Sequence, residues 1–292
     1  MAEGQVELTR IERLALALGR FSNERNSGKL LQYTFLRRIT QPWVRFSAQR
    51  RTYVAGMDYL RARPAKGVML AANHRTFWDQ YIAMLCFYDG GVEWPRRIFF
   101  PVRSNFFYEK PAGIAVNFLI GAGTMYPPIF RDAAKAELNK DALERATRFL
   151  QQSGTLVGVH PEGTRGKHAD PYELLPAQPG IGQMILHAKP IVVPLFINGM
   201  TNDIVSEVRH LRGYEARRKR PIIAMFGEPV DYSQYTKKKP RLVLYKKTSD
   251  LVMKHIAKLS EQERALRARI VAGDIGDDDP GWLSNLRERY NP

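Results

Sequence analysis

Val68-Met69-Leu70-Ala71-Ala72-Asn73-His74-Arg75-Thr76-Phe77-Trp78-Asp79 is the stretch that decides the fold. An apolar run of strand length stops at a polar block, and helical spacing begins near Phe77. The same event recurs at Leu156-Val157-Gly158-Val159, which runs into Pro161-Glu162-Gly163-Thr164-Arg165-Gly166. Two polar blocks at the ends of two strand-like runs are the sequence form of an α/β active edge.

Working outward, apolar runs alternate with helical stretches from about 51 to 230. The pattern predicts strands at 67–72, 97–102, 124–130, 155–159, 190–197 and 221–226. It predicts helices at 77–88, 132–152, 178–188 and 203–216. In 132–152, Asp132 is placed to cap, Leu138, Ala142, Leu143, Ala146, Phe149 and Leu150 share a face, and Gly154 stops the helix. Strands separated by helices imply an α/β fold with a mainly parallel or mixed central sheet flanked by helices.

Residues 1–50 differ. Two amphipathic helices are expected there, divided by the polar stretch Ser22 to Gly28, with Pro42 as a break. Their apolar and aromatic residues are interleaved with Arg, which suits either a membrane-interface helix or a helical pair packed on the main domain. The main α/β domain is expected over 51–271. It ends with a long helix over about 241–271, after Lys237-Lys238-Lys239. A tail over 272–292 then carries a short helix with Trp282 and Leu286.

Length and composition narrow the class. The chain has 292 residues, 44% hydrophobic and 25% charged, so it buries a sizeable core and is not a disordered polymer. Its net charge of +16 attracts polyanions: nucleic acid, anionic lipid or phosphorylated substrate. Nucleic-acid binding calls for basic residues interleaved with stacking aromatics on one face. Here basic residues are spread, and aromatics cluster near apolar runs. The single cysteine, Cys86, sits in an apolar helical setting and reads as a packed thiol in a reducing compartment. The histidines show no metal-ligand spacing, so no metal is expected. No signal peptide is visible. Pro111 to Phe130 is free of charge at nominal transmembrane length, but its Pro and Gly content reads as a buried loop, short helix and strand.

The polar blocks carry the chemistry. His74 falls at a strand end, at the mouth of a site. A turn brings Asp79 to it, where a carboxylate in the first helical turn is also favoured by the dipole. A carboxylate on one imidazole nitrogen fixes the tautomer and leaves the other nitrogen basic. Taken alone, the same spacing also describes a helix cap and a backbone-bonded histidine. In the second block, Gly163 permits a tight turn, Thr164 offers a hydroxyl and Arg165 a planar fork for phosphate. Glu162 either accepts from a substrate hydroxyl or orients an arginine. The block alone also describes an ordinary turn with a surface arginine. Arg131 and Arg103 end apolar runs, and each reads as a second phosphate ligand or as a solvated strand end.

At these residues the chain resembles the glycerolipid acyltransferase family, which includes 1-acylglycerol-3-phosphate acyltransferases. Its N-H-x4-D motif is met by Asn73, His74 and Asp79, and its P-E-G-T-R motif by Pro161 to Arg165. An apolar run around a proline is met by Ile191-Val192-Val193-Pro194-Leu195. A glycine, aromatic and arginine motif is met loosely by Gly123 through Phe130-Arg131. The resemblance covers about 67 to 200.

The resemblance implies an O-acyltransferase in which His74 deprotonates an acceptor hydroxyl and Asp79 orients it. The acyl thioester, acyl-CoA or acyl-ACP, serves as co-substrate, with no other cofactor. Arg165, with Arg131, Glu162, Gly163 and Thr164, would hold the acceptor; from composition, not from the resemblance, the charge-free stretch 111–130 is expected to line an acyl channel, since an acyl chain wants an apolar groove. The implied acceptor is lysophosphatidic acid and the product phosphatidic acid. Glycerol 3-phosphate, a lyso-aminolipid or a glycolipid are the alternatives. Such an acceptor places the chain, as a peripheral or monotopic protein, on the cytoplasmic face of a membrane. No nucleic acid partner is implied. A lipid-binding protein that has lost catalysis is a further alternative, which an intact His74 and Asp79 oppose.

Overall fold

A computed structural model describes residues 8–130, 132–203, 207 and 215–290. The chain opens with helices α1 (Arg10–Glu24), α2 (Asn26–Phe35) and α3 (Gln41–Ala48). Strand β1 (Thr52–Ala55) follows, then β2 (Val68–Ala72) and α4 (Asp79–Asp89). Next come β3 (Arg97–Phe99), β4 (Val102–Arg103), α5 (Ser104–Phe107), α6 (Pro111–Leu119) and β5 (Pro128–Ile129). Then α7 (Ala136–Leu150), β6 (Thr155–Val159), α8 (Pro179–Ala188), β7 (Ile191–Asn198) and β8 (Ile222–Phe226). The chain closes with α9 (Leu242–Ala272) and α10 (Leu283–Tyr290).

Six strands form one sheet in the order β1-β8-β7-β2-β6-β3, and β4 pairs with β5 apart from it. Strands β7, β2, β6 and β3 run parallel, while β8 is antiparallel to β7 and carries β1 with it. The sheet is therefore mixed, with a parallel centre. Side-chain alternation splits its core in two. Val68, Leu70 and Ala72 face α4, whose residues are all buried beneath α3 and α10. Met69 and Ala71 face α7, α8 and α9. A helix apolar on every side is a core helix. Cys86 lies wholly inside it, and burial pushes its thiol pKa up, which leaves it a packing group. Gly182 lets α8 approach α9 closely: a Cβ there would sit 1.9 Å from the Tyr245 carbonyl oxygen.

Several elements differ from the sequence pattern. The 97–102 run splits between two sheets. The 124–130 run is strand only at Pro128–Ile129, because the positive φ of Ala122 and Gly123 turns the chain just before it. Thr52–Ala55 is a strand that the pattern does not announce, since it is short and preceded by arginines. Asp132 caps a 3-10 turn at Ala133–Lys135, accepting from the Ala134 amide, and α7 starts only at Ala136. Pro42 does not break the N-terminal helices. It sits in the first turn of α3, where its missing N–H costs nothing, and a π-helical turn at Leu36–Thr40 joins α2 to α3. Most of the predicted 203–216 helix lies outside the described residues; a short helix is present at Glu215–Lys219. Trp282 precedes α10 and is wholly buried against Tyr53, and the Val54 amide donates to the Gly281 carbonyl, so the tail is part of the fold.

The N-terminal helices are inside out. α1 turns Glu12, Ala15, Gly19 and Asn23 inward and Ile11, Leu14, Leu18 and Phe21 outward. α2 buries Gly28, Lys29 and Gln32 and exposes Leu30 and Leu31. α6, the most apolar helix, buries Gly113 and Asn117 and leaves Leu119 70% exposed. The inward polar groups form a closed network. Lys29 donates to Asn23 Oδ1, Gln32 Oε1 and the Ile98 carbonyl, and Asn23 and Gln32 donate to the carbonyls of Gly123 and Ala122. Each partner satisfies another, so burial leaves no orphan group there.

Candidate active site

Parallel strands β2, β6 and β7 deliver their C-terminal loops to one edge of the sheet, where α/β proteins bind ligands. The loop after β2 carries His74. Asn73 anchors it: its side chain accepts from the Ile197 amide at 2.8 Å and donates to the Ile197 carbonyl at 2.9 Å, extending the ladder with β7. The loop then curls around Asp79. One carboxylate oxygen accepts from His74 Nδ1 at 3.0 Å and from the amides of Arg75 and Thr76 at 2.8 and 3.0 Å; the other accepts from the Thr76 hydroxyl at 2.6 Å. Asp79 is thus both the pivot of the turn and the imidazole's partner, which joins the two readings of the sequence. Burial works to raise its pKa, but the hydrogen bond and charge of His74, then His160 and Thr76, hold it below the usual carboxylate value. The His74 ring is 21% exposed, so one face of this buried pair opens to solvent.

His160, one residue before the second motif, was not singled out by sequence. Its ring stacks on that of His74 at 3.9 Å and 12°. Its Nδ1 lies 3.1 and 3.0 Å from the carbonyl oxygens of Ala72 and Asn73, so that nitrogen carries the proton. Burial, then the neighbouring His74, pushes its pKa down to about 3, against the pull of Asp79 and the two carbonyls. It is a neutral platform under the His74 ring. Ligand atoms of His74, Asp79 and His160 lie within 4.8 Å of one another, close enough for a metal site by distance alone. Parallel rings, however, aim their in-plane nitrogens side by side, and each Nδ1 already faces an oxygen. This geometry is that of two hydrogen-bonded imidazoles.

The second motif meets the first directly. The Gly166 amide donates to the His74 carbonyl at 2.9 Å. Glu162 is buried and accepts from the amides of His74 at 2.9 Å and Leu175 at 3.0 Å. Burial raises its pKa, and those amides pull it back only in part. Its carboxylate ties the two loops together, a task that neither sequence reading of Glu162 named. Gly163 takes the positive φ of 64° that the turn requires, and Thr164 stands half-buried beside it. Arg165 is exposed, its Nη1 3.3 Å from Asn202 Oδ1. Asn202 also accepts from the Phe77 amide at 3.2 Å, bridging both motifs. No local pattern marks Asn202. Arg131 lies outside the described residues, and Arg103 sits on β4.

Beside His74 opens a basic cleft of about 690 Å³, lined by the loops after β2, β6 and β7. His74 itself borders the cleft through Arg75 and Thr76 and is not part of its lining. A base with an oriented carboxylate, at the mouth of a cation-lined cleft, is equipped to deprotonate a hydroxyl on an anionic substrate. The Acyltransferase family profile matches residues 51–198. The chain belongs to the acyltransferase family. Comparison with curated proteins finds no match. Among solved structures it is similar to the 1-acyl-sn-glycerophosphate (LPA) acyltransferase PlsC of Thermotoga maritima, with 16% identity and a TM-score of 0.46, over 86% of this chain and 96% of that one. As an acyltransferase, the protein moves an acyl group from a donor to an acceptor.

Proposed function

We propose that this acyltransferase moves a fatty acyl group from acyl-CoA or acyl-ACP to the free hydroxyl of lysophosphatidic acid, giving phosphatidic acid. The observation that carries the reading is the Asp79-anchored imidazole of His74 joined through Gly166 and Asn202 to Arg165. His74 Nε2 takes the hydroxyl proton while Nδ1–H stays on Asp79. The alkoxide attacks the thioester carbonyl, the C–S bond breaks, and the imidazolium returns its proton to the departing thiolate. His160 stays neutral beneath, so no second positive charge opposes the imidazolium. Arg165 is the phosphate ligand of the acceptor. Thioester and acceptor suffice for this chemistry, with no resident cofactor or metal assigned a step.

The inverted helices supply the route to a lipid acceptor. Ile39, Trp43 and Phe46 of the π-turn and α3 join the exposed apolar residues of α1, α2 and α6, around the Ile120–Tyr126 loop that these helices share. No helix among the described residues is long and apolar enough to cross a membrane. We infer a peripheral or monotopic seat at the cytoplasmic face, with residues 1–50 and the charge-free 111–130 stretch turned toward lipid and acyl chain.

An acceptor panel tests the reading. Lysophosphatidic acid, glycerol 3-phosphate, a lyso-aminolipid and a glycolipid are offered with palmitoyl-CoA. Arg165→Ala is expected to raise KM for lysophosphatidic acid by about tenfold or more, the worth of a charged hydrogen bond, and to spare uncharged acceptors. Preference of the wild type for an acceptor without phosphate would overturn it.

A further inference from the structure

The basic cleft is larger than an acceptor phosphate needs. Small-molecule and cofactor sites run about 300–1,000 Å³, and this one is about 690 Å³. Its cations are Arg75, Arg165, Lys167, Lys219, Arg220 and Arg267, and no carboxylate lines it among the described residues. The acids that pair with Arg220 and Arg267, Glu207 and Glu263, are buried outside the lining. Because β8 runs antiparallel to β7, its leading residues Lys219 and Arg220 reach the same edge as His74. The cleft therefore extends from His74 sideways over β7 and β8, across the edge from β6.

Its walls are fixed before any ligand arrives. Arg267 donates to the carbonyls of Pro221 and Asn198 at 2.9 and 3.2 Å, and Arg75 Nη2 donates to the His168 carbonyl at 2.7 Å. Arg75 Nη1, by contrast, is buried with no hydrogen-bond partner, against Gly166 in the cleft wall. A buried donor left unmet is costly unless a ligand accepts from it. Preorganised cations around a recess suit a compact polyanion. The acidic face of a carrier protein needs a broad surface, about 800 Å² per partner.

We propose that this cleft holds the 3′-phosphate and diphosphate of a coenzyme A thioester, with Met200 and Pro171 offering apolar surface to the purine. The pantetheine arm then leads from Arg75 and Thr76 back to the neighbouring His74. The proposal rests on the acyltransfer reading above and makes coenzyme A, not the carrier protein, the donor handle. Acceptor and donor phosphates share one chemistry, so the test separates them.

The full chain is titrated calorimetrically with adenosine 3′,5′-bisphosphate, inorganic phosphate and glycerol 3-phosphate. The bisphosphate is expected to bind at least about tenfold tighter than either comparator, and Lys167→Glu and Lys219→Glu each to weaken it about tenfold. Both side chains are exposed, so the variants fold. In kinetics, the same variants raise KM for palmitoyl-CoA about tenfold and leave KM for S-palmitoyl-pantetheine and for the acceptor unchanged. Equal binding of bisphosphate and phosphate overturns the proposal, as does equal KM for the two donors in wild type. So does a charge-reversal effect confined to an acyl carrier protein donor. If the nucleotide binds as expected but no donor supports transfer, the acyltransfer reading fails and the nucleotide site stands.

Discussion

His74 and Asp79 separate chemistry from architecture in a measurable way. The imidazole makes its side-chain hydrogen bond to Asp79, whereas Asp79 also holds the Arg75 and Thr76 amides and the Thr76 hydroxyl. His74→Ala is expected to lower kcat by about 10²–10⁴-fold with little change in Tm. Asp79→Asn is expected to lower kcat and to cost about 1–3 kcal/mol of stability, since an amide nitrogen cannot accept. Rate assays and thermal melts on both variants check the pair, and unchanged kcat in His74→Ala removes the base assignment. His160 adds a pH signature. Its folded pKa, about 3, lies below the ordinary histidine value. Between those values the unfolded chain binds a proton that the folded chain refuses. Its contribution is thus whole above about pH 6.5 and is lost as pH falls toward 3, by at most about 1.4 kcal/mol per pH unit, less for the ring's partial exposure. His160→Phe is expected to lose less stability than wild type between pH 7 and pH 5 in denaturant titrations, although it is weaker at pH 7. The local pair was legible because five residues span it. His160 and Asn202 were not, because their partners lie 88 and 125 residues away.

Element by element, periodicity reported what faces a core and was silent on what faces elsewhere. The apolar runs of β2, β6, β7 and β8 are buried on both faces and stood out as continuous stretches. Amphipathic spacing likewise found α7. In α1 and α2 the same spacing was visible, but its usual sense is reversed: the polar stripe is the inward one. Lys29 makes the reversal testable. Burial, and then the charge of Arg97, lowers its pKa well below the ordinary lysine value, and its listeners are oxygens of Asn23, Gln32 and Ile98. The folded chain thus gives up this proton at a lower pH than the unfolded chain, whose lysines release it near pH 10.5. Stability from this group is whole above that pH and is lost as pH falls through the window beneath it. Denaturant midpoints of wild type should rise as pH climbs toward about 10.5, and Lys29→Met should lack that rise. Parallel pH profiles for the two chains contradict the lowered pKa of Lys29.

Across the whole molecule, charge and apolarity are sorted to different places, and the proposed lipid contact rests on that sorting. Net charge was legible from composition, but its placement was not: the basic cleft gathers cations from three loops and two helices, and the apolar helices gather exposed Leu, Ile, Trp and Phe around one loop. Leu31, Phe46 and Leu119 are 64%, 76% and 70% exposed, so water already surrounds them in the folded chain. Removing them therefore costs little folding energy, whereas each side chain buried in a bilayer is worth about 1.5–3 kcal/mol. The combined Leu31→Ser, Phe46→Ser and Leu119→Ser variant is expected to keep its Tm within a few degrees and to lose at least about tenfold in flotation with anionic liposomes. Its turnover of lysophosphatidic acid presented in vesicles should fall in parallel, while turnover of a short-chain, water-soluble analogue should hold. Raising the salt should weaken wild-type flotation only in part, because screening reaches the charges and not the apolar contact. Full flotation by the triple variant at high salt would place the lipid contact elsewhere on the molecule.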